Sequence, residues 1–260
     1  MNIRKRVYLC FGLIAMGMVS LCAADTSLSK PLLHPLFSDE AVLQRGKPVM
    51  VWGWAVPGAE VTVELVGDGL IPAPVTVKAG TDGRWQAALG PFAAGGPYRL
   101  VATSGSVRAE AKDVLVGDVW LCSGQSNMAM TVDMSAHADE EANNANWPQI
   151  RHFCVSLNRA GTPQEFCKGQ WKVSNPENTP KFTAAGYYMA RKLHQDLKVP
   201  IGLVNSSVGG TRSELWTSGE ALSFVPGYSS AVSSFQALMK RVDEQKEKTG
   251  KDYPEQLATW

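Results

Sequence analysis

Two hydrophobic patterns meet near residue 114, and the change between them indicates how the chain is divided. Between residues 32 and 113, short apolar runs alternate with turn clusters, and Ala59–Leu65 alternates apolar and polar residues with a period of two. Strands at this spacing are typical of a small β-sandwich. Val114–Cys122 is instead mostly apolar on both faces, as a buried parallel strand is. We therefore predict a β-sandwich over residues 30–113 and an α/β domain over residues 114–260.

The predicted strands of the first half are separated by glycine, proline and aspartate turns. They are Lys47–Trp54, Ala59–Leu65, Val75–Ala79, Arg84–Leu89 and Tyr98–Ala102. Because Thr81-Asp82-Gly83 stands between the third and fourth of these strands, we predict that the two form a hairpin.

The second half has the order strand, helix, strand. Gln149–Val155 and Ile201–Asn205 are predicted strands, and Thr183–Leu197 carries apolar residues at helical spacing, with Thr183 as a possible N-cap. This order predicts a βαβ unit in a doubly wound, flavodoxin-like sheet. A polar helix is predicted over Ser230–Lys248. Three parallel strands are few for such a sheet, so we expect an incomplete domain that is truncated at its C-terminus.

The first 24 residues have the pattern of a cleavable signal peptide. Basic residues at positions 4–6 precede the uncharged apolar run Val7–Leu21, and small residues precede a cleavage point after Ala24. We expect an exported protein, periplasmic or secreted, that is free of the membrane after cleavage. An uncleaved anchor and a lipid-modified Cys22 are the alternatives, although the run is short for a membrane span.

Charge and cysteine content exclude several function classes. The formal net charge of +1 becomes about −2 without the leader, with 22 basic and 24 acidic residues, and no basic stripe favours nucleic acid. Cys122, Cys154 and Cys167 follow the leader at spacings that match no zinc pattern. Cys122 is predicted to be a buried hydrophobe, and Cys154 with Cys167 is the pair to consider for a disulfide. We expect no metal and no cofactor.

Small residues follow two of the predicted parallel strands. Ser126 lies beyond the first, where a helix is expected to begin, and the adjacent Gly209 and Gly210 lie beyond Ile201–Asn205. Ligands bind at the carboxyl ends of such strands, where a serine can attack a carbonyl and backbone N–H groups can stabilise the oxyanion. Each loop alone is compatible with a structural turn. Together they favour acyl transfer.

These loops resemble two blocks of the sialate O-acetylesterase family of SGNH (GDSL-like) hydrolases. The first block is Ser123-Gly124-Gln125-Ser126-Asn127-Met128, preceded by Val116-Gly117-Asp118-Val119-Trp120-Leu121, and the second is Asn205-Ser206-Ser207-Val208-Gly209-Gly210-Thr211. Upstream segments, including Val42-Leu43-Gln44-Arg45 and Asp82-Gly83-Arg84-Trp85, resemble the N-terminal β-sandwich of that family.

The resemblance implies a nucleophile and an oxyanion hole but gives no base. It makes Ser126 the nucleophile and places the N–H groups of Ser126 and Gly210, with Gly209 as the nearer alternative, in the oxyanion hole. The family also uses a Gln-Gly-Glu-type loop and a late Asp-x-x-His, which these 260 residues lack. His152 is expected to pack or form a hydrogen bond within its strand, and His194 to lie on a solvated helix face. None of the chain's histidines completes that pattern: His34, His137, His152 and His194.

The resemblance therefore implies a serine esterase that removes O-acetyl groups from sialic acid or another acetylated glycan. Without its base, this chain is expected to be inactive or weak. One alternative is a non-catalytic glycan-binding or accessory protein, suggested by Trp52, Trp54 and Trp85, although core packing is the favoured role of these tryptophans. Another is a gene fragment with no independent role. The sequence does not indicate the acetylated sugar or the oligomeric state.

Overall fold

The computed structural model describes residues 30–71, 73–158 and 164–249, and it has a mixed α/β fold. The predicted signal, residues 1–24, lies outside them. The strands are β1 (Val42–Gln44), β2 (Val49–Trp54), β3 (Glu60–Val66), β4 (Val75–Lys78), β5 (Arg84–Leu89), β6 (Gly95–Ser104), β7 (Val107–Gly124), β8 (Trp147–Cys154), β9 (Trp171–Ser174) and β10 (Ile201–Ser207). The helices are α1 (Ser126–Ala129), α2 (Ala138–Asn143), α3 (Ala184–Leu197), α4 (Gly219–Ser223) and α5 (Ser229–Thr249). None of these helices combines the length and the apolar character needed to cross a bilayer.

One long strand, β7, connects the two halves of the fold. Its first part pairs antiparallel with β6, and its last part pairs in parallel with β10. The main sheet has the order β4-β3-β6-β7-β10-β8-β9, with β1 beside β7. Asp113, at the predicted boundary between the halves, has a φ of 52°, and the β6–β7 register shifts nearby. The boundary itself stays a prediction, since β7 runs through it.

The first half packs β2 and β5 against the main sheet. These two strands form a separate antiparallel pair, and the burial of β5 alternates strictly, which places Trp85 in the core. The core also contains Val61 and Leu100 from the main sheet and extends to Phe153 and Trp171 of the second half. The period-two pattern of Ala59–Leu65 therefore predicted the buried face of β3 correctly.

The predicted hairpin of Val75–Ala79 with Arg84–Leu89 is wrong. In the structure β4 pairs with β3, whereas β5 pairs with β2. The chain does turn at Gly80–Gly83, where the Gly83 N–H donates to the Gly80 carbonyl at 3.0 Å. That turn takes the chain from one sheet to the other, and a turn signal alone does not identify which strands pair.

The second half confirms the βαβ unit. Strands β7, β10 and β8 are parallel neighbours, and α3 lies between β8 and β10 in the chain. An antiparallel edge strand, β9, is an addition that the pattern did not predict. Helix α3 packs on the sheet through a core of Cys122, Ile150, Ala190, Val199, Ile201 and Leu203. The predicted C-terminal helix corresponds to α5.

The prediction that Val114–Cys122 is buried on both faces holds only at its start and at Cys122. Trp120 is 43% exposed and Leu121 is 69% exposed. The pairing with β6 ends opposite Val116 and that with β1 ends opposite Gly117, and from Asp118 onward β10 is the strand that pairs with β7 within the described residues. Where one neighbour is absent, an apolar strand residue has less to pack against.

Candidate active site

Ser126 lies at the point where β7 ends and α1 begins. Gly124 has a φ of +133°, a conformation that residues with a side chain rarely adopt, and this allows the chain to turn out of the strand. Helix α1 then starts at Ser126, as predicted, but it is a single turn of four residues. Because Ser126 is its first residue, the Ser126 N–H is not part of the intrahelical hydrogen-bond ladder.

The loop after β10 lies directly beside Ser126. Ser207 pairs with Gly124 across the parallel strands, and the Val208 N–H donates to the Gly124 carbonyl at 2.9 Å. A Cβ atom added to Gly209 would lie 3.9 Å from the Ser126 Cα and 4.0 Å from its Cβ. The structure therefore brings together the two loops that the sequence placed at neighbouring strand ends.

Gly210 has a different environment from Gly209. Its φ is +75°, which favours glycine, and a Cβ added there would meet no atom within 4 Å. A side chain at Gly209 would therefore face Ser126, whereas a side chain at Gly210 would face open space.

Thr211 braces this glycine turn, which the sequence did not predict. Its hydroxyl donates to the Val208 carbonyl at 2.7 Å and accepts from the Trp216 indole N–H at 2.9 Å. The bonds tie the turn to the segment that follows it. Hydroxyl residues that bond to nearby backbone are common in turns, so Thr211 after two glycines was the available signal.

Thr183 supports the segment that carries Ser126. It occupies the N-cap position of α3, as predicted, but its hydroxyl does not cap that helix. It donates instead to the Met128 carbonyl in α1 at 2.6 Å. The predicted N-cap position is therefore confirmed, and the hydroxyl binds a carbonyl at the end of the one-turn helix α1 instead of an N–H of α3.

Two sequence blocks upstream of Ser126 meet at the start of the parallel part of β7. The Arg45 guanidinium binds the Asp118 carboxylate with two bonds of 2.8 and 2.9 Å, and this pairing holds the pKa of Asp118 below its usual range. The Gln44 side chain accepts from the Val119 N–H at 2.9 Å. Arg45 and Gln44 thus fix the unpaired side of β7.

Within the described residues, Ser126 lacks a base. Its hydroxyl donates to Gln125 Oε1 at 3.4 Å, and no described histidine or carboxylate forms a hydrogen bond with it. A serine hydroxyl is a weak nucleophile without a positioned base. The described residues therefore place a serine at a strand end, next to the loop that carries Gly209.

The two buried histidines are neutral packing residues. His152 stacks on Phe182 with ring centroids 4.5 Å apart, and burial lowers its pKa to about 4. Burial, with a smaller effect of the Arg84 charge, also lowers the pKa of His34 to about 4. The predicted packing role of His152 is confirmed.

The other two histidines lie on or next to helices. His194 Nδ1 is 2.8 Å from the Val199 carbonyl oxygen, and its ring contacts Trp147 edge-on, so the predicted solvated position is wrong. The turn after α3 folds that carbonyl back onto the ring. His137 is exposed at the start of α2, with Nδ1 3.9 Å from Glu140.

The three cysteines of the described residues are free thiols. Cys122 is buried, as predicted, and burial raises the pKa of its thiol. Cys154 and Cys167 are not joined, so the disulfide that the sequence left open is not formed. Burial raises the pKa of both thiols as well. No group of three or more His, Cys, Asp or Glu side chains in the described ranges is arranged to hold a metal.

The three tryptophans of the first half belong to its core. Trp85 and Trp54 are buried, and Trp52 is half-buried against the same cluster. The Trp85 indole donates to the Leu32 carbonyl at 3.0 Å. The favoured core-packing role is confirmed, and these rings do not form an exposed platform for a glycan.

Comparison with known proteins shows which family this chain belongs to. The family model described as carbohydrate esterase, sialic acid-specific acetylesterase matches residues 116–252, which is more than half of the chain. The chain belongs to that family. The matched range contains both Ser126 and the Gly209-Gly210 turn, and the resemblance drawn from the two sequence blocks is confirmed.

Individual relatives agree with this membership. The chain is 38% identical over 201 residues to the sialate O-acetylesterase of Homo sapiens, an alignment that covers 71% of this chain and 38% of that protein. It is 37% identical over 187 residues to the sialate O-acetylesterase of Rattus norvegicus, covering 66% and 34%. The chain thus spans between a third and two fifths of these relatives.

One solved structure has a similar fold. The crystal structure of a novel carbohydrate acetylesterase from Xanthomonas citri superimposes with a TM-score of 0.70 at 38% identity. The match covers 75% of this chain and 44% of that one.

Proposed function

We propose that this chain carries the nucleophile and oxyanion donors of a serine esterase that hydrolyses O-acetyl groups of sialic acid or another acetylated glycan. The observation that carries the proposal is the contact between the Ser126 and Gly209 loops at the carboxyl ends of β7 and β10. In open α/β sheets this edge is where ligands bind. Membership of the acetylesterase family supports ester hydrolysis as the reaction.

In the proposed reaction, Ser126 Oγ attacks the acetyl carbonyl carbon and gives its proton to a base. The carbonyl oxygen becomes an oxyanion, which we expect the N–H groups of Ser126 and Gly210 to stabilise, with Gly209 as the nearer alternative. The ester C–O bond then breaks, and the sugar oxygen takes a proton and leaves as an alcohol. Water releases acetate from the acetyl-serine and restores the hydroxyl.

The identity of the base is open, and we expect this chain to be weak or inactive as an esterase by itself. Loss of a triad member commonly lowers the rate by several powers of ten, while oxyanion donors retain part of the rate enhancement.

The proposal includes the finer fold, a β-sandwich over residues 30–113 followed by an incomplete SGNH domain over residues 114–260. It also includes export with cleavage after Ala24, which N-terminal sequencing of the mature protein would test.

Acetate release from an O-acetylated sialoside tests the reaction, measured with enough protein and time to detect a rate several powers of ten below that of a complete triad. Ser126→Ala should reduce release to the background of the uncatalysed reaction. Ser123→Ala is the matched control, because Ser123 is an exposed serine three residues earlier, on β7, and should release acetate as the wild type does. Equal release by the wild type and Ser126→Ala, above the background, would exclude Ser126 as the nucleophile.

A further inference from the structure

A cavity of about 630 Å³ lies between the first turns of α5 and the segment that leads into α4. Its walls are largely apolar: Leu215 precedes α4, Leu222 belongs to α4, and Val232 and Phe235 lie one turn apart on α5. Clefts of roughly 300–1,000 Å³ with mostly apolar walls are typical of small-molecule sites. The size and the lining of this cavity therefore suit a small ligand with an apolar part.

The cavity is separate from the loops of the candidate active site. One wall is a turn of 3-10 helix, Ser213–Trp216, and the lining begins at Arg212. Ser126, Gly209 and Gly210 do not line the cavity. A ligand here would therefore contact residues that the proposed ester hydrolysis does not use.

Two of the apolar side chains in the lining are exposed to solvent. Leu215 is 73% exposed, and Phe235, on the opposite wall, is 52% exposed. Neighbouring exposed apolar side chains are a common feature of sites that bind a ligand or a partner. A hydrocarbon group placed between these walls would remove both side chains from water, which favours binding.

The lining also contains one cation, Arg212, and one carboxylate, Glu214. Glu214 accepts hydrogen bonds from the hydroxyl groups of Tyr228 and Ser213. The Tyr228 bond, with a smaller effect of the Arg212 charge, holds the pKa of Glu214 below its usual range. The Arg212 side chain is exposed and has no ion pair or hydrogen bond among the residues that the structure describes. Arg212 is therefore the charge that is available to a ligand.

We propose that this cavity binds a small amphipathic carboxylate, with its hydrocarbon part between α4 and α5 and its carboxylate on Arg212. A guanidinium group matches a carboxylate through two parallel hydrogen bonds, which gives the site a preference for an anion. The apolar walls supply the affinity for the hydrocarbon part. This site is additional to the proposed esterase site and takes a different class of ligand.

Ligand-observed NMR titration at pH 7 tests the charge preference with two probes of equal chain length, octanoate and octylammonium. Both probes are ionised at this pH, and they carry opposite charges. The wild type should bind octanoate about fivefold more tightly, as expected for one exposed ion pair. Arg212→Gln should remove this preference by weakening octanoate. Arg241→Gln is the control, because Arg241 is an exposed arginine of α5 that does not line the cavity, and it should keep the preference.

Ala231→Phe tests where the probes bind. Ala231 is exposed on α5 and lines the cavity, so a phenylalanine there should fill it without disturbing the core, and both probes should bind at least about tenfold more weakly. Ala237→Phe is the matched control, since Ala237 is exposed on the same helix outside the lining, and it should bind both probes as the wild type does.

Several results would overturn the proposal. They are no binding of octanoate by the wild type, equal affinity for the two probes, tighter binding of octylammonium, an unchanged preference in Arg212→Gln, and unchanged octanoate binding in Ala231→Phe. Sedimentation velocity at the same protein concentrations tests for a different occupant. A dimer that Ala231→Phe disrupts and octanoate does not would assign the cavity to a second copy of this chain instead. Neither probe contains an ester, so the outcome does not depend on Ser126.

Discussion

Replacing Gly186 by alanine should destabilise the protein, because this glycine lets α3 approach the strand that carries Ser126. A Cβ there would lie 2.7 Å from Thr183 Cγ2, 2.9 Å from Cys122 Sγ and 3.4 Å from Leu203 Cδ1. Overpacking of this kind costs about 1–3 kcal/mol, and the helix propensity gained from alanine returns up to about 1 kcal/mol. We expect a net loss of about 1–2 kcal/mol.

Urea unfolding measures this loss as a lower midpoint at an unchanged slope. Gly219→Ala is the control, since a Cβ in α4 would meet Val232 Cγ1 at 3.8 Å, an ordinary contact, and it should be neutral or slightly stabilising. Thr183→Ser and Cys122→Ala each remove one clashing atom, and serine keeps the hydroxyl that binds Met128. In the combined background Gly186→Ala should cost at least about 0.5 kcal/mol less. An equal cost of Gly186→Ala in the wild type and in the combined background, or no cost in the wild type, would refute the packing explanation.

Two further predictions concern His152 and Thr211. The unfolded chain titrates His152 near pH 6.5 and the folded chain near 4, so the unfolded state binds the extra proton between these values. The contribution of His152 to the unfolding free energy should be fully present above about pH 6.5 and should fall by about 3 kcal/mol towards pH 4. His152→Gln should lack this contribution. Urea unfolding that gives the same difference in free energy between the wild type and His152→Gln at both pH values would contradict this. Thr211→Val removes two hydrogen bonds and should speed amide hydrogen exchange at Gly209 and Gly210, while changing the unfolding free energy by about 1 kcal/mol or less. Unchanged exchange would show that Thr211 does not brace the turn.

The sequence predicted the positions of the strands and helices better than it predicted which strands pair. Period-two alternation identified β3 and β5, and helical spacing identified α3, because these patterns record which side of an element is buried. The Thr81–Gly83 turn did not show that β4 and β5 enter different sheets. Likewise, the apolar run of β7 did not show that Trp120 and Leu121 would be exposed, since exposure depends on which strands lie alongside.

Some residues of the candidate site could likewise be predicted from the sequence, and others could not. Ser126 and the two glycines could be placed together from sequence because parallel strands in one sheet bring their carboxyl ends to one edge. The roles of Thr211 and Thr183 could not, since both hydroxyls bond to backbone in another element or turn.

Trapping the acetyl-enzyme tests the central claim most directly. The wild-type chain is mixed with an O-acetylated sialoside, quenched with acid, and digested for peptide mass analysis. Because a serine without a positioned base is acylated slowly, the incubation is long; acetylation should then appear on the peptide that contains Ser126, and fragmentation should place it on that residue. Ser126→Ala should show no acetylation of this peptide, and Ser123→Ala should show it as the wild type does. An acetyl group that persists on this peptide in Ser126→Ala, or acetate release that Ser126→Ala leaves unchanged, would contradict the assignment of Ser126 as the nucleophile.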